Sequence, residues 1–183
     1  MKNQNSGETL STAKQNAFEV DTKLSRLEWT GKKIGGQHQG TISLSSGEIR
    51  HEDGKISGSF EIDMASISNT DLSGEWKEKL EGHLKSDDFF GVERFPIAKL
   101  ELKEAISANS KFQANLTIKG KTHPVEFSAN IKSEESKITA EGELIIDRSK
   151  YDVRYGSKSF FANIGDKMIH DDFAVKFHII AVK

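Results

Sequence analysis

The chain has 183 residues, 35% of them hydrophobic and 30% charged, with a formal net charge of −2. This length fits one domain with a sizeable core, and the interspersed charges argue against a nucleic-acid partner or a polybasic membrane anchor. Cysteine is absent, which excludes disulfides, thiolate metal sites and a cysteine nucleophile. No apolar run approaches the roughly 18 residues that a membrane span requires.

The first sixteen residues, MKNQNSGETLSTAKQN, are polar and contain no apolar signal region. They predict a flexible tail over residues 1–16, ahead of a domain over residues 17–183. A mature exported protein and a cytosolic protein with a frayed start both fit this pattern.

Strand patterns dominate the first part of the domain. Phe18–Val20 predicts a short strand, and Leu27 and Trp29 share one face of the next. The glycine-rich segment 31–40 predicts a bend with positive-φ positions or a bulge. Asp53-Gly54 predicts a tight hairpin, after which apolar and polar side chains alternate strictly over residues 55–64.

The period changes between Asp71 and Leu84. The spacing of Leu72, Trp76, Leu80 and His83/Leu84 predicts a helix over 71–84, with Asp71 or Ser73 available to cap its first turn. Residues 85–96 predict a loop that holds Phe89, Phe90 and Phe95.

Alternation then returns in segments 98–103, 112–118, 125–131, 138–146 and 173–179. Strands in this number, with turn signals about every 8–12 residues, predict a β-sandwich or an up-and-down barrel of about eight antiparallel strands, and we favour the barrel. Small residues at inward positions would leave room for a slender ligand, or would interdigitate with phenylalanine rings in a filled interior. These residues are Ala98, Ala114, Ala140 and Gly142.

The inward phase of the strands selects a set of candidate ligand-binding residues, each of which could equally be simple core. The apolar members are Trp29, Phe60, Ile62, Met64, Leu100, Leu116, Phe127, Leu144, Phe173, Val175 and Phe177. Arg148 is the polar member: it could bind a phosphate head group, or form a structural ion pair with Asp147 or Asp152. His38 could lie at the mouth of the barrel or in a solvated loop.

Two clusters resemble metal sites. His170-Asp171-Asp172 offers hard ligands just before the last strand, and His83 lies near Asp87 and Asp88. Three consecutive residues rarely converge on one ion, and a helix-end cluster is usually solvated. The sequence also lacks a nucleophile elbow, a phosphate loop, HExxH and a dinucleotide fingerprint. We therefore predict no metal, no cofactor and no catalytic residue.

Several segments together carry a family resemblance. They are FEVD at 18–21, GSFEIDM at 58–64, HLKSDDFF at 83–90 running into Phe95-Pro96, LTIKG at 116–120 with Pro124-Val125, and IDR at 146–148. In combination, over roughly residues 18–183, they resemble the YceI-like family of lipocalin-like proteins, which are described as polyisoprenoid- or lipid-binding.

The resemblance implies a lipocalin-like antiparallel barrel, a helix lying against it, and an apolar tube that holds a long lipid such as a polyprenyl chain. It also implies export to the periplasm. Members of the family usually carry a signal peptide, and we expect that it has been removed from the sequence as given. Some relatives are lipoproteins; residues 2–16 would serve as a tether, although the cysteine that would carry the lipid is absent.

The expected function is therefore non-catalytic binding, carriage or sequestration of a polyisoprenoid or other long-chain lipid. The alternatives are an enzyme acting on a lipid in the same tube, and a structural or interaction module with a filled barrel. The sequence leaves a homodimer open.

Overall fold

The computed structural model describes residues 16–183, so the tail predicted for residues 1–16 lies outside the described residues except for Asn16. Within this range the chain forms nine strands, one α-helix and two short 3-10 turns. Their bounds are β1 Ala17–Val20, β2 Arg26–Lys33, β3 Gly36–Glu52, β4 Lys55–Asn69, α1 Gly74–Lys85, β5 Ile97–Ile106, β6 Lys111–Ile118, β7 Lys121–Ser133, β8 Lys137–Asp147 and β9 Ile169–Val182, with the 3-10 turns at Arg148–Tyr151 and Gly165–Lys167.

Eight of the strands close into an antiparallel barrel. The order is β3-β2-β9-β8-β7-β6-β5-β4, and pairing between β3 and β4 completes the circle. The short β1 pairs with both β3 and β9 at one end of the barrel. This architecture confirms the predicted mainly-β, lipocalin-like barrel with one helix against it.

The two ends of the barrel differ. One end, here called the helix end, carries α1, the 86–96 segment, the segment from 148 to 168, and the hairpin tips at 34–35 and 119–120. The opposite end, here called the β1 end, carries β1 and the turns at 53–54, 107–110 and 134–136. Buried side chains form two clusters, one toward each end.

Tight turns join several of the strands. Asp53 and Gly54 have φ values of 50° and 74°, the positive pair that a two-residue hairpin of type I′ requires, which confirms the predicted hairpin. Lys119-Gly120 joins β6 to β7 in the same way. The segment 31–40 is a hairpin with both predicted features: β2 and β3 continue to a two-residue turn at 34–35, where Gly35 has a φ of 81°, and the register shifts against β9 between Gly31 and Lys33.

The helix begins later than predicted. Ser73 occupies the N-cap position without a side-chain hydrogen bond, and α1 starts at Gly74. Asp71 does not cap the helix, because its carboxylate accepts hydrogen bonds from the backbone of Gln39 (2.9 Å) and the Asn69 amide (2.6 Å). The sequence placed Trp76 on the apolar face of the helix, but its side chain is 72% exposed. The helix contacts the core through Leu80 and Leu84 in its second half.

One part of the barrel wall has no ladder between neighbouring strands. The β7–β8 ladder extends from Ser128–Glu143 to Ser133–Ile138. Toward the helix end, residues 121–127 of β7 pair with β6, and residues 144–147 of β8 pair with β9. Within the described part of the chain, no pairing joins these two half-strands. We call this interruption of the ladder the β7–β8 seam.

Candidate functional site

The barrel encloses an apolar cavity of about 170 Å³. All eight barrel strands contribute to its wall, and every one of its 24 lining residues is apolar. The lining consists of Leu27, Trp29, Ile42, Leu44, Phe60, Ile62, Met64, Phe90, Ala98, Leu100, Leu102, Phe112, Leu116, Ile118, Phe127, Ala129, Ile131, Ala140, Leu144, Ile146, Phe173, Val175, Phe177 and Ile179. An apolar cavity of this kind stays dry, because water finds no hydrogen-bond partner inside it.

Strand register explains how the sequence builds this wall. Residues directly opposite each other in an antiparallel pair point to the same face. Leu100 faces Leu116 across β5 and β6, and Val175 lies between Trp29 and Leu144 on neighbouring strands. The indole nitrogen of Trp29 donates to the Thr41 carbonyl at 3.2 Å, so its polar atom is satisfied in the wall and its ring lines the cavity.

The structure brings eleven of the twelve candidate residues together around this cavity, and Arg148 is the exception. That these side chains contact a ligand stays a prediction. Thirteen further lining residues were not selected from the sequence. Most of them, such as Ile42, Leu102 and Phe112, belong to the same alternating strands and share the inward phase, which is the signal that could have found them.

Phe90 had no such signal, because it lies in a loop without periodicity. Phe89 and Phe90 are each 7% exposed and close the helix end of the cavity. The Phe90 ring lies edge-to-face with Phe89 and with Phe173, at centroid distances of 5.0 and 6.2 Å. The loop after α1 therefore acts as an aromatic plug at the helix end.

Small and aromatic residues share the interior in two ways. A Cβ on Gly142 would lie 2.6 Å from the Phe177 ring, so glycine is required for that ring to pack. The Phe177 ring in turn lies 5.7 Å from Phe127. Ala98 and Ala140 instead line the cavity, whereas Ala114 is fully buried outside the lining set. Ala98 and Ala140 thus border open space, whereas Gly142 makes room for an interdigitating ring, as the two predicted alternatives required.

Arg148 lies outside the cavity lining, 2% exposed, in the turn that follows β8. Its guanidinium donates to the carbonyls of Val153 (2.9 Å), Ile169 (3.1 Å) and His170 (3.1 Å). It lies 3.7 Å from a carboxylate oxygen of Asp171 and 5.2 Å from the centre of the Phe89 ring. Burial lowers the pKa of Arg148, and the charge of Asp171 counters that effect. These contacts favour a structural role, with Asp171 in place of the expected Asp147 or Asp152.

Those two carboxylates have other partners. Asp147 accepts from the backbone and hydroxyl of Ser149, and Asp152 pairs with Arg154. Tyr151, which the sequence did not single out, is 1% exposed, and its hydroxyl has no hydrogen-bond partner among the described residues. Burial, with a contribution from Asp147, raises the pKa of Tyr151 to about 12, so the phenol is neutral.

The predicted metal-like clusters do not assemble. His170, Asp171 and Asp172 lie within β9 and not before it, so alternate side chains face opposite sides of the sheet. Asp171 is bound by the Ser159 hydroxyl at 2.6 Å. The His83 ring packs on Phe89 and Tyr155. Among residues 16–183, no group of three His, Cys, Asp or Glu side chains could hold a metal ion.

His38 does not lie in a solvated loop. It lies in β3, and its ring nitrogen Nδ1 is 2.8 Å from the carboxylate of Asp71. Together with the hydrogen bonds from Gln39 and Asn69 to Asp71, this pair holds the segment between β4 and α1.

The fold and cavity together define a closed antiparallel barrel with an apolar interior. The family model of the YceI-like domain matches residues 18–181, and the chain belongs to this family. None of the helices in the described range is both long and apolar enough to cross a membrane. A comparison with curated proteins gave no match.

Solved structures share the fold. BcnA of Burkholderia cenocepacia is 24% identical, with a TM-score of 0.71 over 89% of this chain and 99% of that one. A polyisoprenoid binding domain from Saccharophagus degradans, implicated in plant cell wall breakdown, is 18% identical, with a TM-score of 0.68 over 90% and 97% of the two chains. The YceI protein of Campylobacter jejuni is 21% identical, with a TM-score of 0.51 over 69% and 72%.

Proposed function

We propose that this protein binds a long apolar lipid, such as a polyisoprenoid, inside the barrel, and that it carries or sequesters this lipid without chemical conversion. The observation that carries the proposal is the cavity inside the barrel, whose 24 lining residues are all apolar. Family membership and the similarity to a polyisoprenoid binding domain support the same ligand class. Export to the periplasm is part of the proposal and rests on the family alone.

Affinity in such a site comes from buried area. Each buried methylene contributes about 0.8 kcal/mol, so an isoprene unit of five carbons contributes roughly 4 kcal/mol. A few units would outweigh an association cost of about 4–15 kcal/mol. The eleven candidate wall residues and the remainder of the lining would supply this contact surface.

The cavity is smaller than the roughly 300–1,000 Å³ of typical ligand pockets. A long chain would therefore need aromatic rings to turn away from the axis. The rings of Phe112, Phe127 and Phe177 pack on one another at 5.7–6.1 Å and are the side chains to move. We propose that they swing toward the β1 end as the ligand enters.

The two alternatives differ from this proposal in what they require of the interior. An enzyme needs a general acid, a base or a nucleophile beside the bound lipid, and an apolar lining supports binding instead. A filled structural module needs a close-packed interior, and the open volume beside Ala98 and Ala140 supports a ligand site instead.

The test blocks the cavity. Ala140→Phe places a ring at a lining position, whereas Ala174→Phe, which lies on β9 between two inward residues, adds the same ring to the outer face of the wall. Native mass spectrometry after incubation with a polyprenol should show a lipid adduct for the wild type and Ala174→Phe, and at least tenfold less for Ala140→Phe. Both variants must keep the wild-type circular dichroism spectrum.

Each alternative predicts another result. Equal amounts of lipid adduct in both variants would mean that the lipid does not bind in the cavity. Conversion of the bound polyprenol to a new mass would favour the enzyme, and a wild type that takes up no lipid would favour the filled module.

A further inference from the structure

The helix end of the barrel exposes a cluster of large apolar side chains. Tyr155, Phe160 and Phe161 are 47%, 39% and 51% exposed, and all three lie in the segment 154–168, here called the 154–168 loop. Ile34, at the tip of the β2–β3 hairpin, is 44% exposed. Its backbone N–H donates to the Met168 carbonyl at 3.2 Å, so the hairpin tip and the loop lie side by side.

Hydrogen bonds hold the loop in this arrangement. The amides of Phe160 and Phe161 both donate to the carbonyl of Ser157, which is fully buried, at 3.3 and 3.0 Å. The Ser159 hydroxyl donates to Asp171, and the Ile169 amide donates to the Gly156 carbonyl at 2.8 Å. The backbone that carries the exposed rings is therefore held against the barrel.

The two segments that carry these side chains are positively charged. Residues 32–36 and 152–168 contain five cations and two carboxylates, a local charge of +3 on a chain whose net charge is −2. The cations, all exposed, are Lys32, Lys33, Arg154, Lys158 and Lys167. One of the carboxylates, Asp152, is paired with Arg154, whose guanidinium also lies 4.8 Å from the centre of the Phe160 ring.

Exposed aromatic rings surrounded by lysines match the chemistry of a bilayer surface. Aromatic side chains lie at the level of lipid head groups, long basic side chains reach the phosphates, and anionic lipids attract the cations. We propose that the 154–168 loop and the Ile34 hairpin tip dock the barrel peripherally on an anionic lipid bilayer.

Continuity with the cavity supports this assignment. From the 154–168 loop the chain enters β9 directly, and Phe173 of this strand lines the cavity. The docked surface would thus lie at the end of the barrel that Phe89 and Phe90 close. Docking itself depends only on the exposed surface and does not require an occupied cavity.

The test is flotation with vesicles of phosphatidylcholine alone or mixed with phosphatidylglycerol. The wild type should bind the mixed vesicles and lose binding as salt is raised, because salt screens exposed charges. The double variant Phe160→Ser and Phe161→Ser, and the double variant Lys158→Glu and Lys167→Glu, should each bind the mixed vesicles at least tenfold more weakly.

Matched controls lie at the β1 end. Ile106→Ser removes an apolar side chain that is 57% exposed, and Lys111→Glu with Lys137→Glu reverses two exposed charges at the starts of β6 and β8. These controls should bind the vesicles like the wild type. The polyprenol adduct in native mass spectra should be unchanged in all of these variants, so a failure of docking is distinguishable from a failure of lipid binding.

Three results would overturn docking. The first is that the wild type does not bind the mixed vesicles. The second is that the control variants at the β1 end weaken vesicle binding as much as the loop variants do. The third is that light scattering shows a wild-type dimer, which the double variant Phe160→Ser and Phe161→Ser dissociates. The last result would assign the surface to a second copy of this chain.

Discussion

At the scale of single residues, Arg148 shows how the chain stabilises the end of its barrel. Three carbonyls accept from its guanidinium, and Asp171 supplies the neighbouring charge. A cation so completely enclosed stabilises the fold only while its partners remain in place, because an uncompensated buried group is costly.

We expect Arg148→Ala to lower the free energy of unfolding by about 3–5 kcal/mol, since it leaves Asp171 and three carbonyls without their donor. Chemical denaturation would measure this loss. The control is Arg154→Ala, which removes a 59% exposed partner of Asp152 and should cost no more than about 1 kcal/mol. If Arg148→Ala instead weakens a prenyl phosphate selectively against the matching prenol, the residue binds a head group.

Residue by residue, the cavity wall was more predictable than its surroundings. Alternation identifies the inward side chains of a strand because one face is dry. It says nothing about Phe90, whose loop has no period, or about the pairing of Arg148 with Asp171, because that contact depends on how a turn folds back on a strand distant in sequence.

At the scale of elements, carboxylates attach α1 to the barrel. Glu81 of α1 accepts from the Asn69 amide N–H at 2.7 Å and from the Ser68 hydroxyl at 3.0 Å, at the end of β4. The backbone hydrogen bond from Asn69 is the largest of the effects that lower the pKa of Glu81. Burial alone would raise the pKa of Asp71, but hydrogen bonds from Gln39, His38 and Asn69 outweigh it and lower that pKa.

These depressed pKa values predict an acid-dependent stability. The ordinary values are 4.5 for Glu81 and 3.8 for Asp71, so each carboxylate contributes stability that is fully present above these values. This contribution is lost as the pH falls through the lower folded-state pKa values. Glu81→Gln should lower the free energy of unfolding by about 1 kcal/mol at neutral pH and flatten its decline below pH 4.5.

Denaturant titrations between neutral and acidic pH would measure this decline. Glu75→Gln is the control, because Glu75 lies on the same helix and pairs with Lys79 at the surface. A decline that is equally steep in Glu81→Gln and the wild type would contradict the assignment. Sequence periodicity predicted that this helix exists, but its start at Gly74 depends on Asp71 being held by β3, which lies outside any helical pattern.

At the scale of the whole molecule, the barrel could be predicted because most strands repeat the same dry and wet faces and alternate with clear turn signals. The pairing that closes the barrel could not be predicted, because it joins β2 to β9, which lie near opposite ends of the chain. The separation of β7 from β8 toward the helix end is likewise a property of the closed barrel as a whole. It is invisible in either strand alone.

The β7–β8 seam predicts an uneven pattern of amide hydrogen exchange along β7. In residues 121–127, the N–H groups of Thr122 and Glu126 face β8 without a ladder partner, and Pro124 between them has no N–H. Ser128 and Asn130 face β8 within the ladder. The amides of Thr122 and Glu126 should therefore exchange much faster than those of Ser128 and Asn130, as residue-resolved NMR exchange would show. Uniform protection along the whole of β7 would contradict the seam.

The seam also changes what opening the wall would involve. Elsewhere in a closed barrel, two strands can part only by breaking a ladder of backbone hydrogen bonds. Across the seam no ladder joins the described half-strands, and Phe127, Leu144 and Ile146 on either side of it line the cavity. Local breathing there separates packed side chains, among them the ring of Tyr151 against His123, while every ladder stays intact, so we expect the wall to widen first at the seam.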